Sequence, residues 1–233
     1  MAIEARLGVF AAILATVAAV AAWGNPSVTL LPDTARETAP QERSGGYAKG
    51  LAELARAERA LSAHPDSLPL RFDRLRIRYV LGVKEEAFLD AADSDWQALS
   101  GAGRPQDRAL LIAYAGALRV ARAKHGFNFR RKWERLQAGM PLLDSAVGLA
   151  PENAEVRYLR LVSNYYLPFF LGRRARVKED FAVLGRLLPG TRSYPDRWLR
   201  NVGRFVLEKG DLEKEDRAAL ASRLHGLETE EGG

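Results

Sequence analysis

One phrase of the sequence occurs twice, 86 residues apart, and this repetition restricts the fold more than any other feature. Residues 60–79 read ALSAHPDSLPLRFDRLRIRY, and residues 146–165 read AVGLAPENAEVRYLRLVSNY. The segments align without a gap and share a proline, the acid after it, two arginines and the final tyrosine. Further prolines open apolar stretches, so that prolines at 65, 105, 151 and 195 are spaced by 40, 46 and 44 residues. A period in this range is typical of stacked helical hairpins.

Apolar residues recur at helical spacing from residue 46 onward, and Gly and Pro divide the pattern into nine or ten segments. Asn153 is placed to cap a helix through Tyr166, and Pro141 is expected to kink the helix Phe129–Leu149 or to split it at Met140. The sequence contains no alternating β pattern of useful length. It therefore predicts an all-α fold over residues 46–227, built as a right-handed stack of antiparallel helical hairpins, with residues 228–233 as a flexible tail.

Residues 1–24 have the layout of a secretory signal peptide or a signal anchor. Arg6 precedes the uncharged run Leu7–Trp23, which we expect to form an N-terminal hydrophobic helix. Small residues around Ala22 favour cleavage, whereas Trp23 suits the membrane interface of a retained anchor, and both alternatives stay open. Residues 25–45 contain three prolines and are predicted to form an extended linker. Either alternative predicts an exported protein of the cell envelope, periplasmic or otherwise outside the cytoplasm, that is secreted or anchored in the membrane.

Two junctions of the chain resemble those of a known repeat family. In Ala60–Pro65 and Ala146–Pro151 a helix ends in Ala-x4-Pro and the next begins with an acid, as in tetratricopeptide repeats. The resemblance covers roughly residues 46–225. The spacing here exceeds the 34 residues of the standard repeat and the usual Trp-x2-Leu-Gly-x2-Tyr run is missing, so the family is best described as tetratricopeptide-like. Pro151–Leu161 together with Leu167–Gly172 also resembles uncharacterised bacterial exported repeat proteins. These resemblances imply a scaffold or peptide-binding adaptor of the envelope.

The repeated arginines are the first candidate for a binding surface. Arg71, Arg74 and Arg78 are three and seven residues apart and share one helix face, and Arg157 and Arg160 repeat the first two. In tetratricopeptide-like stacks the first helix of each pair lines the concave surface. The resemblance therefore implies an arginine-lined groove that binds carboxylates or phosphates through forked hydrogen bonds.

A structural role for the same arginines is the other interpretation. Each arginine would pair with a nearby acid, such as Asp66, Asp73 or Glu155, and fix the interface between repeats. Repetition of arginines together with a structural proline is what a shared requirement of the fold would produce.

An aromatic cluster follows the second copy of the phrase, at Tyr165, Tyr166, Phe169 and Phe170. Its side chains either fill the core between hairpins or line a ligand pocket. Asn164 and a tyrosine hydroxyl near the groove are plausible peptide contacts. The full set of predicted partner-binding residues is Arg71, Arg74, Arg78, Arg157, Arg160, Asn164 and Tyr165.

The densest basic patch of the chain lies around residues 122–135. Its basic side chains are Arg122, Lys124, Arg130, Arg131, Lys132 and Arg135, and Phe127 and Phe129 lie among them. Such a patch suits anionic lipid or an acidic partner, or else it is a hairpin turn with snorkelling side chains. The formal net charge of +6 is small for a nucleic-acid-binding protein, so no nucleic-acid partner is expected.

Catalytic and metal-binding patterns are not evident in the sequence. Cysteine is absent, and the three histidines, His64, His125 and His225, are scattered. Asp93–Asp95 has the start of a calcium loop without its later Gly and Glu, and is better interpreted as a surface segment of a helix. The sequence therefore predicts no enzymatic activity, no cofactor and no metal.

The predicted function is a non-enzymatic scaffold or adaptor that binds a protein or peptide on its concave face. Residues 1–24 would add a membrane contact where they are retained. The alternative is a binding component for a small anionic ligand, enclosed between repeats by Tyr165, Tyr166, Phe169 and the arginine pair.

Overall fold

The computed structural model of the chain describes residues 40–102 and 107–229. Over these residues the regular secondary structure is helical, which confirms the all-α class. The nine α-helices of the described residues are α1 (Pro40–Ala63), α2 (Leu68–Gly82), α3 (Ala87–Ala102), α4 (Arg108–His125), α5 (Phe129–Leu149), α6 (Ala154–Tyr165), α7 (Arg174–Leu187), α8 (Asp196–Lys209) and α9 (Lys214–Thr229). Two short 3-10 turns, Phe169–Leu171 and Leu188–Gly190, flank α7.

The N-terminal predictions fall mostly outside the described residues. The signal or anchor segment 1–24 lies there entirely, as does the linker up to residue 39. Helix α1 begins at Pro40, so the last six residues of the predicted linker are helical and not extended. Proline suits this position because the first backbone N–H groups of a helix have no acceptor within it. None of the described helices is long and apolar enough to cross a membrane.

The chain divides into two compact units between Pro141 and Leu142. This division falls inside α5, which continues as one helix from Phe129 to Leu149. The predicted split at Met140 is therefore wrong. Proline removes one hydrogen bond from a helix interior, but the residues on both sides of Pro141 keep their helical conformation.

Unit 1 is built by successive packing of α1 on α2, α2 on α3 and α3 on α4. Its core contains fully buried leucines, such as Leu75, Leu89 and Leu118. Small residues bring α4 and α5 close together, since a Cβ atom on Gly139 would lie 2.7 Å from the carbonyl oxygen of Gly116. A separation this short excludes any residue larger than glycine at position 139 unless the helices shift.

Unit 2 contains α6 packed on α7, with α8 and α9 packed on α7 and on each other. Leu161, Leu184 and Val206 are completely buried at its centre. The predicted cap of α6 is confirmed, because the Asn153 side chain accepts hydrogen bonds from the backbone N–H groups of Glu155 and Val156. Each of these bonds satisfies a donor that would otherwise lack a partner at the helix start.

Candidate functional site

The same arginine–proline hydrogen bond forms in both units. Arg71 Nε donates to the carbonyl oxygen of Pro65 at 2.9 Å, and Arg157 Nε donates to that of Pro151 at 2.6 Å. In each unit the arginine lies six residues after the proline and closes the turn between two helices. The first repeated arginine therefore has a structural role in each copy of the phrase.

The second repeated arginine also finds an equivalent partner in each unit. Arg74 Nη2 lies 2.6 Å from Asp95 on α3, and Arg160 donates to Asp180 on α7 at 2.8 and 2.9 Å. These aspartates lie 21 and 20 residues after their arginines. Asp95 is 5% exposed, so it is a buried member of its helix and not the surface residue that the sequence suggested.

The acids that the sequence proposed as partners are only partly used in this way. Asp66 pairs with Arg71 at 3.3 Å, as the structural interpretation expected. Asp73 instead pairs with Arg76 on its own helix. The acids that engage the other repeated arginines lie on neighbouring helices: Glu58 on α1, Asp95 on α3, Asp144 on α5, and Glu179 and Asp180 on α7. Sequence reasoning missed them.

Unit 2 encloses its arginines in a buried ionic network. Asp180 is fully buried and accepts hydrogen bonds from Arg157 at 3.0 Å and from Arg160. Glu179 pairs with both arginines, and Arg160 also lies 3.4 Å from Asp144. Arg157 and Arg160 are 6% and 5% exposed. Their guanidinium groups therefore offer almost no surface to a partner.

Asn164 and Tyr165 are likewise used inside unit 2. The Asn164 amide donates to the Arg160 carbonyl oxygen and accepts from Arg173 Nε, each at 2.9 Å. The Tyr165 ring makes edge contacts with Phe181 and Phe205. These contacts match the core-filling interpretation for Tyr165, whereas Tyr166 and Phe169 are exposed. Two arginines and Tyr165 of the predicted small-anion pocket have partners within unit 2.

The electrostatics of the unit 2 network follow from burial and from its arginines. Hydrogen bonding to Arg157 holds the pKa of Glu179 below its usual value, although partial burial acts in the opposite direction. Burial alone would raise the pKa of Asp144, but hydrogen bonding to Arg173 and the charges of Arg173, Arg176 and Arg160 bring it below normal. Burial raises the pKa of Asp180, and its two arginines offset only part of that effect.

In unit 1 the repeated arginines Arg71 and Arg74 line a groove. The groove has a volume of about 590 Å³ and is lined by Glu58, Leu61, Ser62, Pro65, Arg71, Arg74, Asp95 and Ala98. The side chains of Arg71 and Arg74 are 29% and 26% exposed. Behind them, Arg78 joins Glu58 to Asp95 with two hydrogen bonds of 2.9 Å. Arg74 Nε is buried without a hydrogen-bond partner among the described residues.

A second cavity occupies the corresponding corner of unit 2, beside Pro151 and Arg157, with a volume of about 820 Å³. The described residues contain no group of three or more His, Cys, Asp or Glu side chains placed to hold a metal ion. Comparison of the chain with protein-family models, curated proteins and solved structures gives no match. The unit 1 groove is therefore chosen as the candidate site from its geometry alone.

Proposed function

We propose that the chain is a non-enzymatic helical-repeat scaffold or adaptor that binds a peptide or protein segment in the unit 1 groove. The observation that carries this proposal is the difference between the two copies of the phrase. In unit 2 the repeated arginines are buried in an ionic network, whereas in unit 1 Arg71 and Arg74 remain partly exposed along an open groove.

The chemistry of the groove suits a peptide with mixed character. Arg71 and Arg74 supply forked donors for an acidic side chain or a carboxyl terminus, and Glu58, which is 45% exposed, supplies an acceptor for a cation. Leu61 and Ala98 provide apolar surface between these charges. A concave site with a few fixed polar groups on an apolar lining is the usual form of a ligand site.

We further propose that the two units are diverged copies of one helical-hairpin module in a tetratricopeptide-like right-handed solenoid. The equivalent Arg–Pro and Arg–Asp hydrogen bonds support common ancestry of the copies. We also propose that the protein is exported to the cell envelope, because the sequence of residues 1–24 has the layout of a signal or anchor.

The groove is tested by filling it without disturbing its ion pairs. Ala98 is exposed and lines the groove, whereas Gln97 is exposed on the same helix and does not line it. Ala98→Trp should block the groove, and Gln97→Trp is the matched control. A displayed random-peptide library is selected against the full chain, and the enriched peptides are titrated against both variants.

We expect the enriched peptides to bind the wild type and Gln97→Trp equally, and to bind Ala98→Trp at least about tenfold more weakly, since a bulky side chain removes most contacts in a site of this size. Far-ultraviolet circular dichroism checks that both variants keep their helical content. Selection that enriches no peptide, or equal binding to both variants, would contradict the proposal.

A further inference from the structure

The turn between α4 and α5 presents a bare aromatic ring among basic side chains. Phe127 is fully exposed, at 104% of its reference area. Residues 119–135 contain seven basic residues, counted as Arg119, Arg122, Lys124, Arg130, Arg131, Lys132 and Arg135, against one acid, Glu134. An exposed phenylalanine is unfavourable in water. This turn is therefore a candidate for a surface that contacts a membrane or another molecule.

The cations at the start of α5 are poorly compensated. Its first turn contains no acid, so Arg130 and Arg131 face the positive end of the helix dipole. Among the described residues, Arg130 pairs only with Glu134, in a solvent-exposed ion pair that contributes little. Arg131 is exposed, and its side chain has no ion-pair partner within the described part of the chain. An external anion would relieve this local repulsion.

Further cations lie near the same turn at the end of α4. Lys124 Nζ donates to the Val83 carbonyl oxygen at 2.8 Å, which places it beside the turn that follows α2. Partial burial, followed by the charge of Lys84, lowers the pKa of Lys124. The turn after α2 contains two acids, Glu85, which the Tyr47 hydroxyl contacts, and Glu86. The excess of positive charge therefore lies on the segment between α4 and α5.

We propose that the basic aromatic surface formed by Lys124, Phe127, Arg130 and Arg131 docks onto the anionic headgroups of a lipid bilayer. The Phe127 ring enters the boundary between headgroups and acyl chains, and the two arginines contact lipid phosphates. This contact is separate from any membrane insertion of residues 1–24.

A lipid surface fits these features better than a macromolecular partner does. The Phe127 ring is fully exposed, whereas a protein interface requires a complementary surface on the order of 1,000 Å². Nucleic acid would call for a basic groove that follows the backbone. A fluid bilayer accepts a single projecting ring without shape complementarity, and its anionic lipids attract the flanking cations.

The test measures the depth of this turn on vesicles. The chain has no cysteine, so one introduced cysteine carries an environment-sensitive fluorophore. Gly126 is a suitable site because its φ of −72° suits any residue, and the nearest neighbour of an added Cβ atom lies 3.5 Å away. Ser62→Cys, exposed at the end of α1, is the reference position in the same unit.

The labelled full chain is reconstituted with phosphatidylcholine vesicles or with vesicles that also contain phosphatidylglycerol. We expect lipid-borne quenchers to reach the label at position 126 only on the anionic vesicles, and the label at position 62 on neither. Arg130→Gln with Arg131→Gln should weaken docking about 25-fold, at roughly fivefold for each charge near the surface. Phe127→Ser should also reduce quenching, and Arg130→Lys with Arg131→Lys should retain it.

The matched control removes the same charge elsewhere in unit 1. Arg56 and Arg59 are exposed on α1, and Arg56→Gln with Arg59→Gln should leave quenching at position 126 unchanged. The proposal fails if the label at position 126 stays in water on anionic vesicles, or if it is quenched equally on neutral vesicles. It also fails if the control pair weakens docking as much as the arginine pair of α5 does.

Discussion

Removal of the Asp180 carboxylate should be one of the most damaging single changes in unit 2. This residue is fully buried and accepts three hydrogen bonds of 2.8 to 3.0 Å from Arg157 and Arg160. Asp180→Ala would leave two guanidinium groups inside the protein with Glu179 and Asp144 as their remaining acidic partners. Loss of one member of a buried ion pair typically costs about 3–5 kcal/mol.

The equivalent change in unit 1 provides an internal comparison. Asp95 also pairs with two arginines, but the Arg74 and Arg78 side chains are 26% and 17% exposed. Water can therefore hydrate them once the carboxylate is gone, and Asp95→Ala should cost only about 1.5–3 kcal/mol. Asp180→Ala should therefore be the more destabilising of the two substitutions.

Hydrogen exchange of the intact chain, followed by mass spectrometry, measures each unit separately. Asp180→Ala should accelerate exchange of the α6 and α7 amides by about a hundredfold or more, since each 1.4 kcal/mol corresponds to a factor of ten. Asp95→Ala should accelerate exchange in α2 and α3 by a smaller factor. An acceleration below about tenfold for Asp180→Ala, or the reverse order of the two variants, would refute the reasoning.

A second variant separates the cost of an unpaired charge from the value of the network itself. Arg157→Met, Arg160→Met and Asp180→Leu together replace the buried charges with apolar side chains. Such replacements are often neutral or stabilising, so exchange in α6 and α7 should return to within about tenfold of the wild type. A triple variant as unstable as Asp180→Ala would show that the stability comes from the contacts of the network, including the Arg157–Pro151 hydrogen bond, and that the stranded charge is not the main cost.

Two further outcomes are expected. Gly139→Ala should destabilise unit 1 by about 1–3 kcal/mol because its Cβ atom would lie 2.7 Å from a backbone carbonyl oxygen of α4. Gly148→Ala on the same helix meets nothing within 4 Å and should stabilise by about 0.5–1 kcal/mol; thermal melts with the same sign for both would contradict this account. The lowered pKa values of Asp144 and Glu179 mean that their stabilisation is present above about pH 4 and lost as the pH falls through the folded-state values. Asp144→Asn with Glu179→Gln should therefore reduce the loss of unfolding free energy as the pH falls. Asp180, with its raised pKa, acts in the opposite direction. If the double variant loses stability in acid as steeply as the wild type does, these two carboxylates are not the cause of that loss.

Local signals in the sequence predicted much of the helical layout. Asn153 caps its helix and Gly82 ends α2, as the capping and breaking preferences of these residues indicate. Pro141 was misleading, because loss of one helical hydrogen bond does not oblige a helix to end when the residues on both sides favour it. Pro40 was also misleading, because it contributed to the prediction of an extended linker. Proline disfavours the interior of a helix but is accepted at its start, where Pro40 lies.

The candidate site was less accessible to sequence reasoning because its contacts join separate helices. The shared face of Arg71 and Arg74 follows from helical spacing, but their exposure depends on what the next helix brings against them. Asp95 and Asp180 lie about 20 residues after their arginines, and no rule of local spacing selects them. The recurrence of that interval in both copies was the one available signal, and it gains meaning only once the helices are packed.

The Arg–Pro hydrogen bond common to both units changes how variation in this chain should be interpreted. The fold constrains the identity of a residue that closes a turn in every copy, whichever ligand the protein binds. After a duplication, such positions stay alike, while selection for a new task acts on the positions around them. Under the proposed common origin of the two units, differences between them, such as Ser62 near one proline and Gly148 near the other, are therefore the informative sites for tracing divergence.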